Sequence, residues 1–379
     1  MHILLVGEYS RFHNSLKEGL VALGHEVTII GTGDAFKAYP VDINISPRST
    51  TSSWFKIRLK NAIYRLTSID ITQIETGRRF WKNKDKLKNY DIVQFINSYS
   101  IRTTVAQEKK IIQYLDTHNK KLFLSACGTD VPFVIGMYDD PYDYNLLTPY
   151  LNNPNLKKNY GGTLKYLTAK HKSLIDYMVS KVRAIIPADV DYLWGLRNTP
   201  KTTPLIPMPI NTDLLQFKPL DISDKIVIFH GINRMNYIKK GNNFFEEAAQ
   251  IIQERYPDTV QLITAENMPY QEYIKAYDQA HILLDQATSL DQGYNAREAM
   301  AKGKVVFTGA EKEFIEQYKL KETVAINAKP DTAYLVDQLE QLILNPQKII
   351  EIGKNARAFI EREHNYINIA QQYLDTWNT

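Results

Sequence analysis

Two stretches of this 379-residue chain combine residue types suited to binding phosphate. The first is Asp291–Gly309, DQGYNAREAMAKGKVVFTG. Gly293 permits a tight turn, and the spacing predicts a short helix from about Asn295 to Gly303 with a strand after it. The N–H groups at a helix start have no partner within the helix, and the helix dipole favours negative charge there, so this turn would suit a phosphate. Glu298, in the first turn, is placed either to accept two hydrogen bonds from a ribose diol or to be a surface acid favoured by the same dipole. The second stretch holds Arg234 and Lys240, which follow the apolar run Ile226–Gly231. Arginine offers a planar fork of donors and lysine a compact charge, and both match phosphate oxygens. As solvated loop residues they would do neither.

These residues need a scaffold, and the hydrophobic pattern predicts one. Short runs rich in Val, Ile and Leu alternate with segments of helical period, as in a doubly wound α/β protein. In the first half the expected strands are His2–Gly7, Glu26–Gly31, Asp91–Asn97, Lys121–Ala126, Arg183–Pro187 and Pro204–Pro207. Their continuous apolar character implies parallel sheets covered on both faces. Leu16, Leu20 and Leu23 form a helical stripe that closes at Gly24. The polar stretch Gln216–Lys225 reads as an interdomain linker. The alternation then restarts, with strands expected at Ile226–Gly231, Val260–Ala265, His281–Asp285, Lys304–Thr308 and Thr323–Ile326. Phe244, Phe245, Ala248, Ala249, Ile251 and Ile252 mark the buried stripe of the first helix in this half. Ligands of such folds sit beyond the carboxyl ends of the strands.

Composition narrows the function classes. Hydrophobic residues at 44% and charged residues at 23% suit a folded, soluble protein. The opening MHILLVGEYS reads as a first strand and not a signal peptide, and no run approaches the length that spans a bilayer. The single cysteine, Cys127, excludes an internal disulfide, agrees with a reducing cytoplasm and reads as a small buried residue. Gly7 is followed by Glu8-Tyr9-Ser10-Arg11 in place of G-x-G-x-x-G, which speaks against a nicotinamide enzyme. No zinc-ligand spacing and no nucleic-acid-binding signature is present, so no nucleic-acid partner is expected.

Gly293-x4-Glu298-Ala299-Met300-Ala301-x-Gly303-Lys304-Val305-Val306 resembles the donor-site segment of family-4-type GT-B glycosyltransferases, commonly E-x-F-G-x4-E-A-M-A-x-G-x-P-V. Phe229–Arg234 followed by Lys240-Gly241 is similar to the family's G-R-…-K-G segment. Gly24-His25-Glu26-Val27, Ile206–Asp213, and the tail from Asn345-Pro346 through Ala356-Arg357 to Glu361–His364 extend the likeness. The resemblance implies two Rossmann-like domains facing across a cleft. The boundaries would be 1–215 for an acceptor domain, joined by a final helix 366–379, and 216–365 for the donor-nucleotide domain. It implies transfer of a sugar from a nucleoside diphosphate sugar to a carbohydrate or lipid-linked alcohol, with retention of configuration and no metal or other cofactor. A bacterial surface-polysaccharide or glycolipid pathway would suit it.

The family's roles transfer by position. Arg234 and Lys240 would neutralise the donor diphosphate, Glu298 would hold the ribose, and Gly293, Tyr294 and Asn295 would lie along the phosphates and sugar. The family's first acid falls on Leu290, which leaves Asp291 or Asp285 as its substitute. In the first half, Arg11 and His13 within Glu8–Asn14 are candidates for phosphate or acceptor contact. Asp130, in Gly128-Thr129-Asp130, would meet a sugar hydroxyl or help take a proton from the attacking alcohol, or else cap a turn. Asp189-Val190-Asp191 imitates the D-x-D metal motif of the other glycosyltransferase fold, but as a helix start after a strand it is read as a cap. Asp139-Asp140 has no partner ligands. A catalytically silent GT-B binding subunit and a sugar-nucleotide epimerase are the competing readings.

One further segment points away from the sheets. Between Trp54 and Tyr90 stand ten Lys and Arg against three acids. Trp54, Phe55, Leu59, Ala62, Ile63 and Leu66 recur at helical spacing among Lys56, Arg58, Lys60 and Arg65. Residues 53–90 would thus touch the inner face of an anionic plasma membrane, or supply an ordinary amphipathic helix packed on the first sheet.

Overall fold

The computed structural model describes residues 1–34, 37–67, 69–139, 143–266, 268 and 270–379. Asp140 lies outside them. Residue contacts divide the chain into two units. One comprises Met1–Ile135, Gly162–Pro209 and Tyr366–Thr379, the other Gly136–Gly161 and Ile210–Asn365.

The first unit is built on a parallel sheet of β1 (His2–Val6), β2 (Glu26–Gly31), β3 (Ile43–Asn44), β4 (Ile92–Phe95), β5 (Lys121–Ala126) and β6 (Ile185–Pro187). Their spatial order is β3-β2-β1-β4-β5-β6. β1 is central, with Ile3 opposite Val27 on one side and Ile92 on the other. Ile3, Leu4, Leu5 and Val6 are fully buried, as their unbroken apolar run requires. Each such side chain contributes about 1.5–3 kcal/mol by leaving water. Chain order reverses between β1 and β4, which makes that gap a topological switch point.

One expected strand is absent and one strand is unexpected. Pro204–Pro207 forms no strand, because its prolines carry no N–H for a ladder; the Ile206 N–H alone reaches the Pro187 carbonyl, at 3.1 Å. The two-residue β3 was not expected from the sequence.

The final helix, Tyr366–Asn378, belongs to this unit. It packs on the helix Phe12–Ala22 so closely that a Cβ on Gly19 would lie 2.2 Å from the Tyr366 carbonyl oxygen. Trp377 donates its indole N–H to Gln94 Oε1 at 2.9 Å, and the Tyr373 hydroxyl is 3.1 Å from Ser125 Oγ. The helix Trp54–Thr67 behaves differently. None of its residues is buried, so the alternative of packing on the first sheet does not hold.

The second unit carries β7 (Ile226–Ile232), β8 (Val260–Glu266), β9 (Ile282–Leu284), β10 (Val305–Thr308) and β11 (Ile326–Asn327). These are parallel, in the order β11-β10-β9-β7-β8. Phe245, Ala248, Ala249 and Ile252 of the helix Asn242–Arg255 pack into the core with Ile228, Ile282 and Val305. Phe244 and Ile251 of the same stripe are partly buried. Here the chain reverses between β7 and β9.

Candidate functional site

The switch point of the second sheet gathers several of the expected donor residues. Lys240 lies on the loop that leaves β7, just before Gly241, whose φ of 69° starts the next helix. Its ammonium is 2.7 Å from Asp285 Oδ1, and Asp285 directly follows β9. Asp285 Oδ2 also faces the Thr308 hydroxyl, at 3.3 Å, at the end of β10. The two loops are stitched together: the Ala287 N–H donates to the Lys240 carbonyl at 2.9 Å, and the Thr288 hydroxyl to the Lys239 carbonyl at 2.5 Å.

The helix Tyr294–Ala301 begins in the same place. A Cβ on Gly293 would be 3.9 Å from Asp285 Oδ2 and 3.8 Å from Gln286 Nε2. Gly293 occupies the N-cap position and no side chain caps the helix start, the kind of place where backbone N–H groups and the helix dipole favour an anion. Asn295 is exposed, Tyr294 buried and Glu298 half-buried one turn further along.

Arg234 stands on the other flank of β7. Its guanidinium grips Glu266, the last residue of β8, through Nε to Oε1 at 2.7 Å and Nη2 to Oε2 at 2.5 Å. It lies over the Tyr237 ring at 4.6 Å, with its side chain 52% exposed. Lys240 and Arg234 are thus each held by an acid of the neighbouring strand end, and Glu266 carries no sequence signal of that role.

Asp291 requires a correction. It and Arg297 are both fully buried and paired at 3.0 Å, and the Gln292 N–H donates to the same carboxylate oxygen at 2.6 Å. A buried guanidinium needs a counter-charge, and Asp291 supplies it. The acid that faces Lys240 and Gly293 is Asp285. His230 was missed by sequence reasoning. Its Nε2 meets Asn242 Oδ1 at 2.7 Å, while Nδ1 is buried with no partner.

At the β1/β4 switch point of the first unit, the expected residues are held by the protein itself. Arg11 pairs with Glu18 at 2.6 Å. His13 is fully buried, with Nδ1 2.7 Å from the Gly7 carbonyl, and burial pushes its pKa down to about 4. A neutral imidazole brings no charge to a phosphate, so that role is corrected. Asp130 is buried and accepts the Ser98 N–H at 2.7 Å, the Ser98 hydroxyl at 2.5 Å and the Val131 N–H at 2.7 Å. It ties the β4 loop to the start of the helix Val131–Asp139, which is its capping alternative and not the reach toward a hydroxyl. Glu8, absent from the expected set, is also buried. It accepts the Asn14 N–H and side-chain amide on one oxygen, and the other oxygen has no partner. Burial pushes its pKa up to about 8 despite those hydrogen bonds.

Asp189, discounted as a metal ligand, caps the helix Val190–Gly195 by accepting the Tyr192 N–H. Cys127 is buried. Among the described residues no helix is long and apolar enough to cross a membrane.

Residues 237–375 match a glycosyl transferase-like family, a span that holds Lys240, Asp285, Gly293 and Glu298. No curated protein matches the sequence significantly. Among solved structures, sucrose-phosphate synthase from Thermosynechococcus elongatus is similar over 100% of this chain and 98% of its own, with TM-score 0.59 and 14% identity. HepE of Anabaena, solved in complex with UDP, is similar over 100% of both chains, with TM-score 0.57 and 12% identity. A glycosyltransferase from Rickettsia africae covers 99% of this chain and 97% of its own, with TM-score 0.53 and 14% identity. The chain accordingly has the GT-B fold, with two Rossmann-like domains, and its residues 237–375 are glycosyl transferase-like.

Proposed function

We propose that the protein is a retaining glycosyltransferase that moves a sugar from a nucleoside diphosphate donor to an alcohol acceptor. The observation that carries this is the meeting of Lys240, Asp285 and the helix start at Gly293 at the switch point of the second sheet, inside the family-matched segment. Lys240 and the N–H groups of the Tyr294–Ala301 helix would hold the diphosphate and stabilise its charge as it departs. Arg234 would join them by exchanging Glu266 for phosphate. Glu298 would take the ribose diol, and Asp285 would face the donor sugar in place of the acid missing at Leu290. Anabaena HepE, a fold relative, has been solved with UDP-glucose, which supports a nucleotide-sugar donor. No dedicated metal or cofactor is part of this chemistry.

The test is calorimetry and transfer with a panel of UDP-, GDP- and ADP-sugars. Binding of one nucleotide class together with sugar transfer supports the reading. Binding of none points to a silent subunit, and isomerisation of the free donor points to an epimerase.

The site of action would be the inner face of an anionic membrane, in surface-polysaccharide or glycolipid synthesis on a carbohydrate or lipid-linked acceptor. What supports this is the helix Trp54–Thr67. Trp54 is 66%, Phe55 69% and Leu66 86% exposed, among Lys56, Arg58, Lys60 and Arg65. An isolated soluble chain gains nothing by leaving these side chains in water.

A further inference from the structure

The β1/β4 switch point of the first unit carries cations that no part of the donor chemistry uses. Arg102, on the loop after β4, has φ 60°, a left-handed conformation that residues other than glycine rarely adopt. The loop is wound around Glu108, a buried acid in the first turn of the helix Val105–His118. Glu108 accepts the Thr103 N–H at 2.9 Å, and the backbone of Ile101 and Arg102 bonds to the same carboxylate. Such strain persists only where surrounding structure over-determines it, and here it sets the direction of one side chain. The Arg102 guanidinium lies 4.2 Å over the Tyr9 ring, and its Nε donates to the Tyr9 hydroxyl at 3.1 Å. Its nearest acid, Asp34, is 3.7 Å away, too far for a hydrogen bond, and the arginine side chain is 45% exposed.

Lys165 is mounted in the same manner. Its ammonium is 4.7 Å from the Tyr99 ring centre and 4.9 Å from that of Tyr166, and it makes no ion pair among the described residues. The Tyr9 hydroxyl donates to the Tyr99 carbonyl at 3.1 Å, so the two aromatic mounts are linked. Nearby acids cannot serve as free counter-charges. Asp130 is engaged by Ser98 and Val131, Glu108 by its loop, and Asp34 by the Ser10 N–H and by Lys37 at 3.2 Å. Two cations on aromatic faces without a hydrogen-bonded acid, at the place where this class of sheet receives ligands, form a receptor for an oxyanion.

We infer that Arg102 and Lys165 bind an anionic group of the acceptor, a phosphate or a carboxylate, so that the acceptor is a charged sugar and not a neutral alcohol. This rests on the reading of the protein as a glycosyltransferase whose first unit receives the acceptor. The Arg102 guanidinium would supply two parallel donors and the Lys165 ammonium a third. Glu108 acts as a positioning residue through the loop.

The test uses the full chain and calorimetry with glucose 6-phosphate, glucuronate and methyl glucoside. One or both charged sugars should bind at least about tenfold more tightly than methyl glucoside, given the strength of charge-assisted hydrogen bonds. A phosphate ester alone or a uronate alone identifies the source of the anion. Arg102→Gln and Lys165→Met should each erase most of that advantage while leaving nucleotide affinity and the unfolding temperature near wild type. If Arg102→Gln does not fold, Lys165→Met, which leaves the strained loop intact, decides alone. Equal affinity for charged and neutral sugars, or wild-type anion affinity in a folded Lys165→Met, overturns the proposal. Because sugar binding is read without nucleotide, a failure of the donor reading appears separately, as absence of UDP, GDP and ADP binding.

Discussion

Replacing Lys240 with alanine separates a donor ligand from an ordinary ion pair by the size of two effects. Lys240 sits 2.7 Å from Asp285, with the lysine side chain 31% and the aspartate 9% exposed. An ion pair with a partly exposed partner contributes about 1 kcal/mol or less to stability. For a domain of this size that is a fall of roughly 2–4 °C in Tm. A charge-assisted contact to the donor diphosphate is worth about 1.5–3 kcal/mol, or roughly 10–150-fold in kcat/KM. Lys240→Ala should therefore stay folded, with a small loss of Tm, and lose at least tenfold in kcat/KM for the donor. Lys240→Arg keeps the charge but not the compact geometry, and should fall between the two. Thermal unfolding and initial rates with the wild-type donor read both effects on the same preparations. Turnover within twofold of wild type, alongside the small Tm loss, would make Lys240 a surface ion-pair residue and remove the argument for a diphosphate at this switch point.

Other outcomes follow from the same geometry. Glu298→Gln should weaken binding of the bare nucleoside diphosphate about tenfold or more by calorimetry, because a ribose contact exists with or without the sugar; unchanged affinity makes it a helix-start acid. Gly19→Ala should lower stability by about 1–3 kcal/mol, since its Cβ would meet the Tyr366 carbonyl at 2.2 Å, and that clash outweighs the roughly 1 kcal/mol gained in helix propensity. An unfolding midpoint at or above wild type would contradict the close packing of the two helices. Glu8 binds its proton more tightly folded than unfolded, so its stabilising share is complete below about pH 4.5 and is lost as pH rises to about 8. Glu8→Gln, which keeps the acceptor for Asn14, should flatten the fall in Tm between pH 5 and 8; an unchanged profile refutes the assignment. The chain should sediment with phosphatidylglycerol vesicles at low salt and be released at high salt, and Lys56/Arg58/Lys60→Glu should abolish binding, each cation contributing about 1 kcal/mol near the surface. No binding at low salt ends the membrane proposal.

The strands were legible in the amino-acid sequence because parallel sheets covered on both faces demand unbroken apolar runs. HILLV, EVTII and KLFLSA announce themselves without reference to the rest of the chain. The helix Tyr294–Ala301 was legible for a local reason too: Gly293, the short periodic segment and Gly303 all act within a dozen residues. Pro204–Pro207 misled because its apolar character says nothing about the N–H groups that a ladder needs. What the sequence could not carry was pairing across distance. Asp285 and Asp291 are six residues apart and chemically identical, yet one faces Lys240 at a strand end and the other is buried on Arg297. His13 and Asp130 look like any histidine and aspartate after a strand, and only burial makes the first neutral and commits the second to Ser98. Arg102 and Lys165 carry no motif. Their common setting is created by Tyr9 and Tyr99, which strand order β1-β4 brings together from ninety positions apart. Periodicity is a property of neighbours in the chain, whereas the charge state and freedom of a side chain depend on what folds against it. Sequence alone therefore determined the architecture and the short helix that starts at Gly293, and tertiary structure decided which acids and bases face one another.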